Sequence, residues 1–194
     1  MRVRPLAKTA EKHHPAAGFD PVQTIGLLVV PNFSMIAFAS AIEPLRLANR
    51  VAGKTLYAWR VFSEDGQTVT ASNGMSMEVD GGFAEVEALP AVLVCSGVDV
   101  HKLDHRALIR CLRRMALWGV SIGAVCTGSY VLARAGLLEG FRCTIHWENF
   151  ESFREEFPRL DVSQELFEID RTRFTCAGGT AAIDMMLSII AKQK

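Results

Sequence analysis

The stretch SIGAVCTGSYVLARAG, residues 121–136, sets a single cysteine between a short apolar run and the start of a helix. A thiol at such a turn can be a nucleophile, a wall of a binding pocket or a buried apolar group. Ala124 and Gly128, two positions to either side of Cys126, are small, as a sharp strand-to-helix turn requires; this is the logic of a nucleophile elbow. A helix beginning near Thr127 would aim backbone N–H groups and its positive dipole end at the sulfur, favouring a thiolate or a bound anion. Thiolate chemistry also needs a base close by. The residue after Cys126 is Thr127, not histidine, and His146, in TIHWEN, is the one histidine placed near another strand end. His146 is therefore either the partner of Cys126 or a structural histidine.

An alternation of strands and helices must position that turn. TIGLLVV (24–30) is a continuous apolar, β-branched run, the mark of a strand buried on both faces. PNFSMIAFASAIEPLRLANRVAG follows, with Ser34 as helix cap and Gly53 as stop. YAWRVFSE and QTVTAS read as strands joined by a DG turn, and NGMSMEVDG as a further hairpin. AVLVCSG is another buried strand. A helix from about Lys102 to Leu117 carries Arg106, Arg110, Arg113 and Arg114, read as a solvated face rather than a DNA-binding stripe. GVSIGAVC, RCTIHW, LFEID and RFTCAG read as strands; TGSYVLARAG and ENFESFREEF, the latter stopped by Pro158, read as helices. GTAAIDMMLSIIAKQK closes as a helix that is apolar around most of its circumference and needs a partner surface. The whole predicts an α/β three-layer sandwich with a mostly parallel sheet.

Composition bounds the function. With 194 residues and 49% hydrophobic content, one domain over 21–194 is expected, preceded by a flexible tail over 1–20 that holds His13 and His14, read as solvated. Lys plus Arg equals Asp plus Glu at 21 each, so no overall charge draws the chain to nucleic acid or an anionic membrane. No apolar run approaches the ~20 residues of a membrane span, and the expected location is the cytoplasm. The five cysteines lack any C-x-x-C pair, which argues against a disulfide framework and a zinc site and leaves four of them as small buried hydrophobes. Nothing calls for a metal or a cofactor.

GAVCTGSYVLARAGLLEG, CTIHWENF and RFTCAGGTAAIDMMLSII, with PNFSMIAFASAIEPLRLAN near the start, together resemble the N-terminal domain of AraC-family transcriptional regulators, which is ThiJ/PfpI-like, that is, glutamine amidotransferase-like. The resemblance spans roughly 22–194 and implies a flavodoxin-like, class I glutamine amidotransferase-like fold. It also implies a helix-turn-helix DNA-binding domain beyond this chain, and a homodimer. The hydrolases of that superfamily pair the elbow cysteine with an immediately following histidine and an acid near the start of the first helix; here Thr127 and Ala37 stand about where those would fall. General-base help is worth ~10²–10⁴-fold, so the departure implies a sensor that kept the pocket. FASAIEPLRLAN further resembles the regulators that answer to betaine, carnitine and related amino-acid derivatives. For such a ligand the resemblance implies a carboxylate at the Cys126–Thr127 turn, beside His146, and a cation over Trp147 or near Glu43. A cysteine-dependent hydrolase or deglycase using Cys126, and a redox sensor built on it, are the competing readings.

Overall fold

The central strands are apolar on both faces because different helices cover each face. The computed structural model describes residues 22–193; the tail expected over 1–20, with His13 and His14, lies outside the described residues. β1 (Gln23–Val29) leads into α1 (Met35–Ala52) and β2 (Tyr57–Ser63), followed by three two-residue strands, β3 (Val69–Thr70), β4 (Ser76–Met77) and β5 (Gly81–Gly82). Then come β6 (Ala91–Cys95), α2 (Arg106–Leu117), β7 (Ser121–Val125), α3 (Gly128–Arg134), β8 (Arg142–Cys143) and α4 (Phe150–Glu156). The chain closes with β9 (Asp161–Val162), β10 (Phe167–Asp170), β11 (Arg173–Cys176) and α5 (Ala181–Gln193). Seven strands form one sheet in the order β10-β11-β7-β6-β1-β2-β5, parallel throughout except for β10 against β11. This is the expected three-layer α/β sandwich.

The sheet alternates its side chains between two cores. Ile25, Leu27 and Val29 of β1 pack with Phe33 and Leu45 of the α1 side and Met185 of α5, whereas Leu28 and Val30 join Leu108 and Leu112 of α2 and Val131 of α3. The limits of α1 follow from local chemistry: Ser34 Oγ accepts the Ala37 N–H at 3.4 Å, and Gly53, at φ 62, donates its N–H to the Arg50 carbonyl. The apolar surplus of α5 is met in part within the domain, since Ala182, Met185 and Met186 are buried while Leu187 stays about half exposed.

Several sequence-based expectations are corrected. The DG turn does not build a hairpin: β2 pairs in parallel with β1 and β5, and β3 pairs with β4 instead. RCTIHW is strand only at Arg142–Cys143, because from Thr144 onward side chains satisfy the backbone. The Thr144 N–H donates to Thr175 Oγ1 at 2.9 Å, and its carbonyl accepts from Ser129 Oγ at 2.7 Å. The α2 arginines are not uniformly solvated: Arg113 donates to the Ala135 carbonyl, and Arg114 to those of Phe83 and Val86.

The β2 edge of the sheet is largely covered. At its start, Asn49 bonds Leu56 N–H at 2.8 Å, Tyr57 N–H at 2.9 Å and the Tyr57 carbonyl at 2.8 Å. Farther along β2, Asp80 accepts the Val61 N–H through its carboxylate and donates its own N–H to the Val61 carbonyl, each at 2.7 Å. Across one face of β10 and β11, Arg142 pairs with Glu168 and donates its N–H to the Asp170 carboxylate, each at 2.9 Å.

All five cysteines are free and buried. Burial pushes the thiols of Cys126 and Cys176 up to about 11 and that of Cys143 up to about 12, and raises those of Cys95 and Cys111. In the unfolded chain these thiols ionise near ~8.5, so above that pH the unfolded state releases protons that the native state retains, and stability falls. The urea midpoint is expected to be level from these groups below about pH 8 and to decline from about pH 9 to 11. A midpoint constant over that window would show that the native thiols ionise normally.

Candidate functional site

β1 marks a reversal of strand order: β2 and β5 extend the sheet one way, and β6, β7 and β11 the other. In open α/β sheets the crevice beyond the carboxyl ends at such a reversal is where ligands bind. Three loops leave the sheet there, after β1, β6 and β7, and backbone bonds stitch the first two together. Phe33 bridges Gly97, the Ser34 N–H donates to the Ser96 carbonyl at 3.2 Å, and the Val98 N–H donates to the Asn32 carbonyl at 3.1 Å. A cavity of about 320 Å³ opens between them, lined by Ser34, Gly97, His101, Cys126, Thr127 and His146, with Asp99, Glu148 and Asn149 at its side.

Cys126 takes the left-handed backbone conformation, φ 59, which is unusual for a residue with a side chain. Two bonds hold it: its N–H donates to the Cys176 carbonyl at 3.1 Å and its carbonyl accepts the His146 N–H at 3.3 Å. Gly178 leaves the room it needs, since a Cβ there would lie 2.8 Å from the Cys126 Cβ. The residue is only 6% exposed. Burial is the main reason its thiol is pushed up to about 11; the Thr127 N–H opposes this and the nearby Glu148 carboxylate adds to it. At neutral pH the sulfur is a thiol, in contrast to the thiolate that a helix start suggested.

Thr127 closes the floor of the cavity. Its hydroxyl donates to the Gly97 carbonyl at 2.7 Å and lies 3.2 Å from Ser96 Oγ. His146 lies outside any strand and caps the 3-10 turn Trp147–Asn149. Its Nδ1 accepts the Glu148 N–H at 3.4 Å and stands 3.7 Å from Glu148 Oε2. Among the described residues, no hydrogen bond joins the Cys126 thiol to either Thr127 Oγ1 or the His146 ring.

The cavity thus brings together Cys126, Thr127 and His146 of the five expected residues. Trp147 sits on the back of the same turn, 73% exposed, where it lines a separate cavity with Phe150 and Leu166. Glu43 is exposed and paired with Arg46 at 2.5 Å. It lies nine positions along α1 from Ser34, ~13 Å down the axis, and does not line the cavity. Ala37 is fully buried in the first turn of α1, which holds no acidic residue. Sequence reasoning missed Asp99, His101, Glu148 and Asn149. Glu148 and Asn149 were legible only as the start of a helix, and Asp99 and His101 only as a loop after a strand. A cavity of about 370 Å³ at the amino ends of the strands, walled by Ile25, Phe174 and Met186 with Arg171 and Lys192 among its lining, holds none of these groups.

Comparison with known proteins agrees with this geometry. Residues 26–192 match the DJ-1/PfpI family. The HTH-type transcriptional regulators GbdR and CdhR of Pseudomonas aeruginosa are 47% and 48% identical over 88% of this chain. The chain spans about half the length of these relatives, 47% and 50%. A crystal structure of an AraC family transcriptional regulator from Pseudomonas putida superposes with a TM-score of 0.80 at 27% identity, covering 88% of this chain and 91% of that one. With its parallel sheet, its elbow cysteine and this match over most of its length, the chain belongs to the DJ-1/PfpI family.

Proposed function

We propose that this chain is the effector-sensing domain of an AraC-type transcriptional regulator. It binds a small nitrogenous metabolite, a betaine, carnitine or amino-acid derivative, in the cavity at Cys126, and so controls DNA binding by a helix-turn-helix domain, as a cytoplasmic homodimer. The observation that carries this reading is a fully formed elbow whose thiol is buried and, among the described residues, has no hydrogen bond to Thr127 Oγ1 or the His146 ring; burial also pushes that thiol up to about 11. A cavity lined by the loops after β1, β6 and β7 and by the His146–Asn149 turn suits binding, whereas acyl transfer or deglycation requires a thiolate. The names of the similar regulators support the same reading.

A thermal-shift panel of glycine betaine, carnitine, choline and arginine tests it. A ligand at about 100 times its Kd stabilises the native state by about 2.7 kcal/mol, which for a domain of this size raises Tm by about 5–10 °C. Recovery of that ligand unchanged is the expected result. A ligand consumed at a rate abolished by Cys126→Ala makes the protein a cysteine-dependent hydrolase or deglycase instead.

A further inference from the structure

The cavity at Cys126 has a neighbour. Val100, His101 and Asn149 line both it and an adjacent cavity of about 330 Å³ walled by Tyr130, Phe153 and Glu156. The charge inventory of the two is one-sided. Asp99, Glu148 and Glu156 supply three carboxylates, and among the described residues lining either space there is no lysine or arginine.

The three carboxylates are not equivalent. Asp99 is answered at 2.9 Å by Lys102, which does not line the cavity. Glu156 accepts the Tyr130 hydroxyl at 3.1 Å, and that hydroxyl in turn accepts from Arg134. Among the described residues Glu148 has neither a lysine nor an arginine partner; its carboxylate stands 3.7 Å from the His146 ring, with the side chain 64% exposed at the mouth of the cavity. The same carboxylate acts on Cys126, where it adds to the retention of the thiol proton. A ligand bearing only a carboxylate or phosphate would enter against this charge with no lysine or arginine among the described lining residues to receive it, whereas a cationic nitrogen would be attracted.

We propose that Glu148 is the specificity-determining residue of this cavity and that the effector carries a cationic nitrogen, an ammonium or quaternary ammonium, bound against the Glu148 carboxylate. This assignment rests on the sensor reading of the same cavity and moves the cation subsite from Trp147 and Glu43 to the wall facing Cys126.

Calorimetry with glycine betaine, carnitine and 3,3-dimethylbutanoate tests it. The last replaces the trimethylammonium group of glycine betaine with an uncharged tert-butyl group of the same shape. The wild-type protein is expected to bind a zwitterion at least about tenfold more tightly than the isostere. Glu148→Gln should erase that gap, and Glu43→Gln should leave it intact. Equal binding of glycine betaine and its isostere, or a gap that survives Glu148→Gln in a variant with wild-type Tm, overturns the proposal. If neither zwitterion binds but a neutral or anionic metabolite raises Tm, the sensor reading stands and the role of Glu148 falls. If no metabolite binds, both fall.

Discussion

Native Cys126 should be alkylated by iodoacetamide at pH 7.5 at least about thirtyfold more slowly than free cysteine. With its thiol pushed up to about 11, its thiolate fraction is about 300-fold below that of a cysteine ionising at ~8.5. A more basic thiolate is also more nucleophilic, which restores about tenfold. Steric access then lowers the rate again, because the residue is 6% exposed. The rate should climb about tenfold per pH unit until about pH 11, whereas that of free cysteine levels off near ~8.5. Mass-spectrometric mapping of the labelled site, with a urea-unfolded sample as reference, makes the measurement. Labelling of native Cys126 at the free-cysteine rate would refute the protonated state and restore the nucleophile. The same logic bears on peroxide, since oxidation to the sulfenic acid follows thiolate character and exposure; slow labelling therefore also counts against the redox-sensor reading.

Gly97→Ala is expected to destabilise the domain by about 3 kcal/mol or more, lowering Tm by about 6–12 °C, and to abolish effector binding. A Cβ at Gly97 would lie 2.3 Å from the Asn32 carbonyl oxygen and 2.7 Å from the Ser34 N. Both are backbone atoms, and neither can rotate away as a side chain can. Relief would require parting the loops after β1 and β6, which breaks the Phe33–Gly97 bridge and displaces the carbonyl that anchors Thr127. Gly53→Ala provides the contrast. There φ is 62 and nothing lies within 4 Å of a Cβ, so only the conformational cost of about 1 kcal/mol is expected. Urea titration of the two variants separates steric from conformational cost. Equal midpoints would mean that the Asn32–Ser34 backbone yields freely.

The sequence carried the fold further than it carried the site, for reasons visible in particular residues. Ser34 and Gly53 bound α1 through contacts within a few positions, so their roles are local and legible. The two-faced burial of β1 is likewise written in its uninterrupted apolar run. RCTIHW misled because alternation around Cys143 looks the same whether the backbone pairs with a strand or, as at Thr144, with the side chains of distant residues such as Ser129 and Thr175. Cys126 was found because an elbow is a short-range pattern. Its protonated state was not, because burial arises from segments such as Gly178 that only the fold brings near. Glu148 escaped for a different reason: as an acidic residue opening a helix it looks like any solvent-facing cap, and its side chain is indeed 64% exposed. Only the turn capped by His146 sets it at the rim of the crevice.

The covered β2 edge and the shortness of β10 have a consequence for assembly. Asn49 covers the start of β2, while Asp80 and β5 cover its far half, leaving only 58–60 between them. The opposite border is β10, only four residues long. Neither border presents a long ladder to a strand from another molecule, which disfavours edge-to-edge aggregation and strand donation. Contacts between copies of this domain are then left to helices and loops, where reshaping of the crevice loops by a ligand can alter a contact without breaking any bond of the sheet.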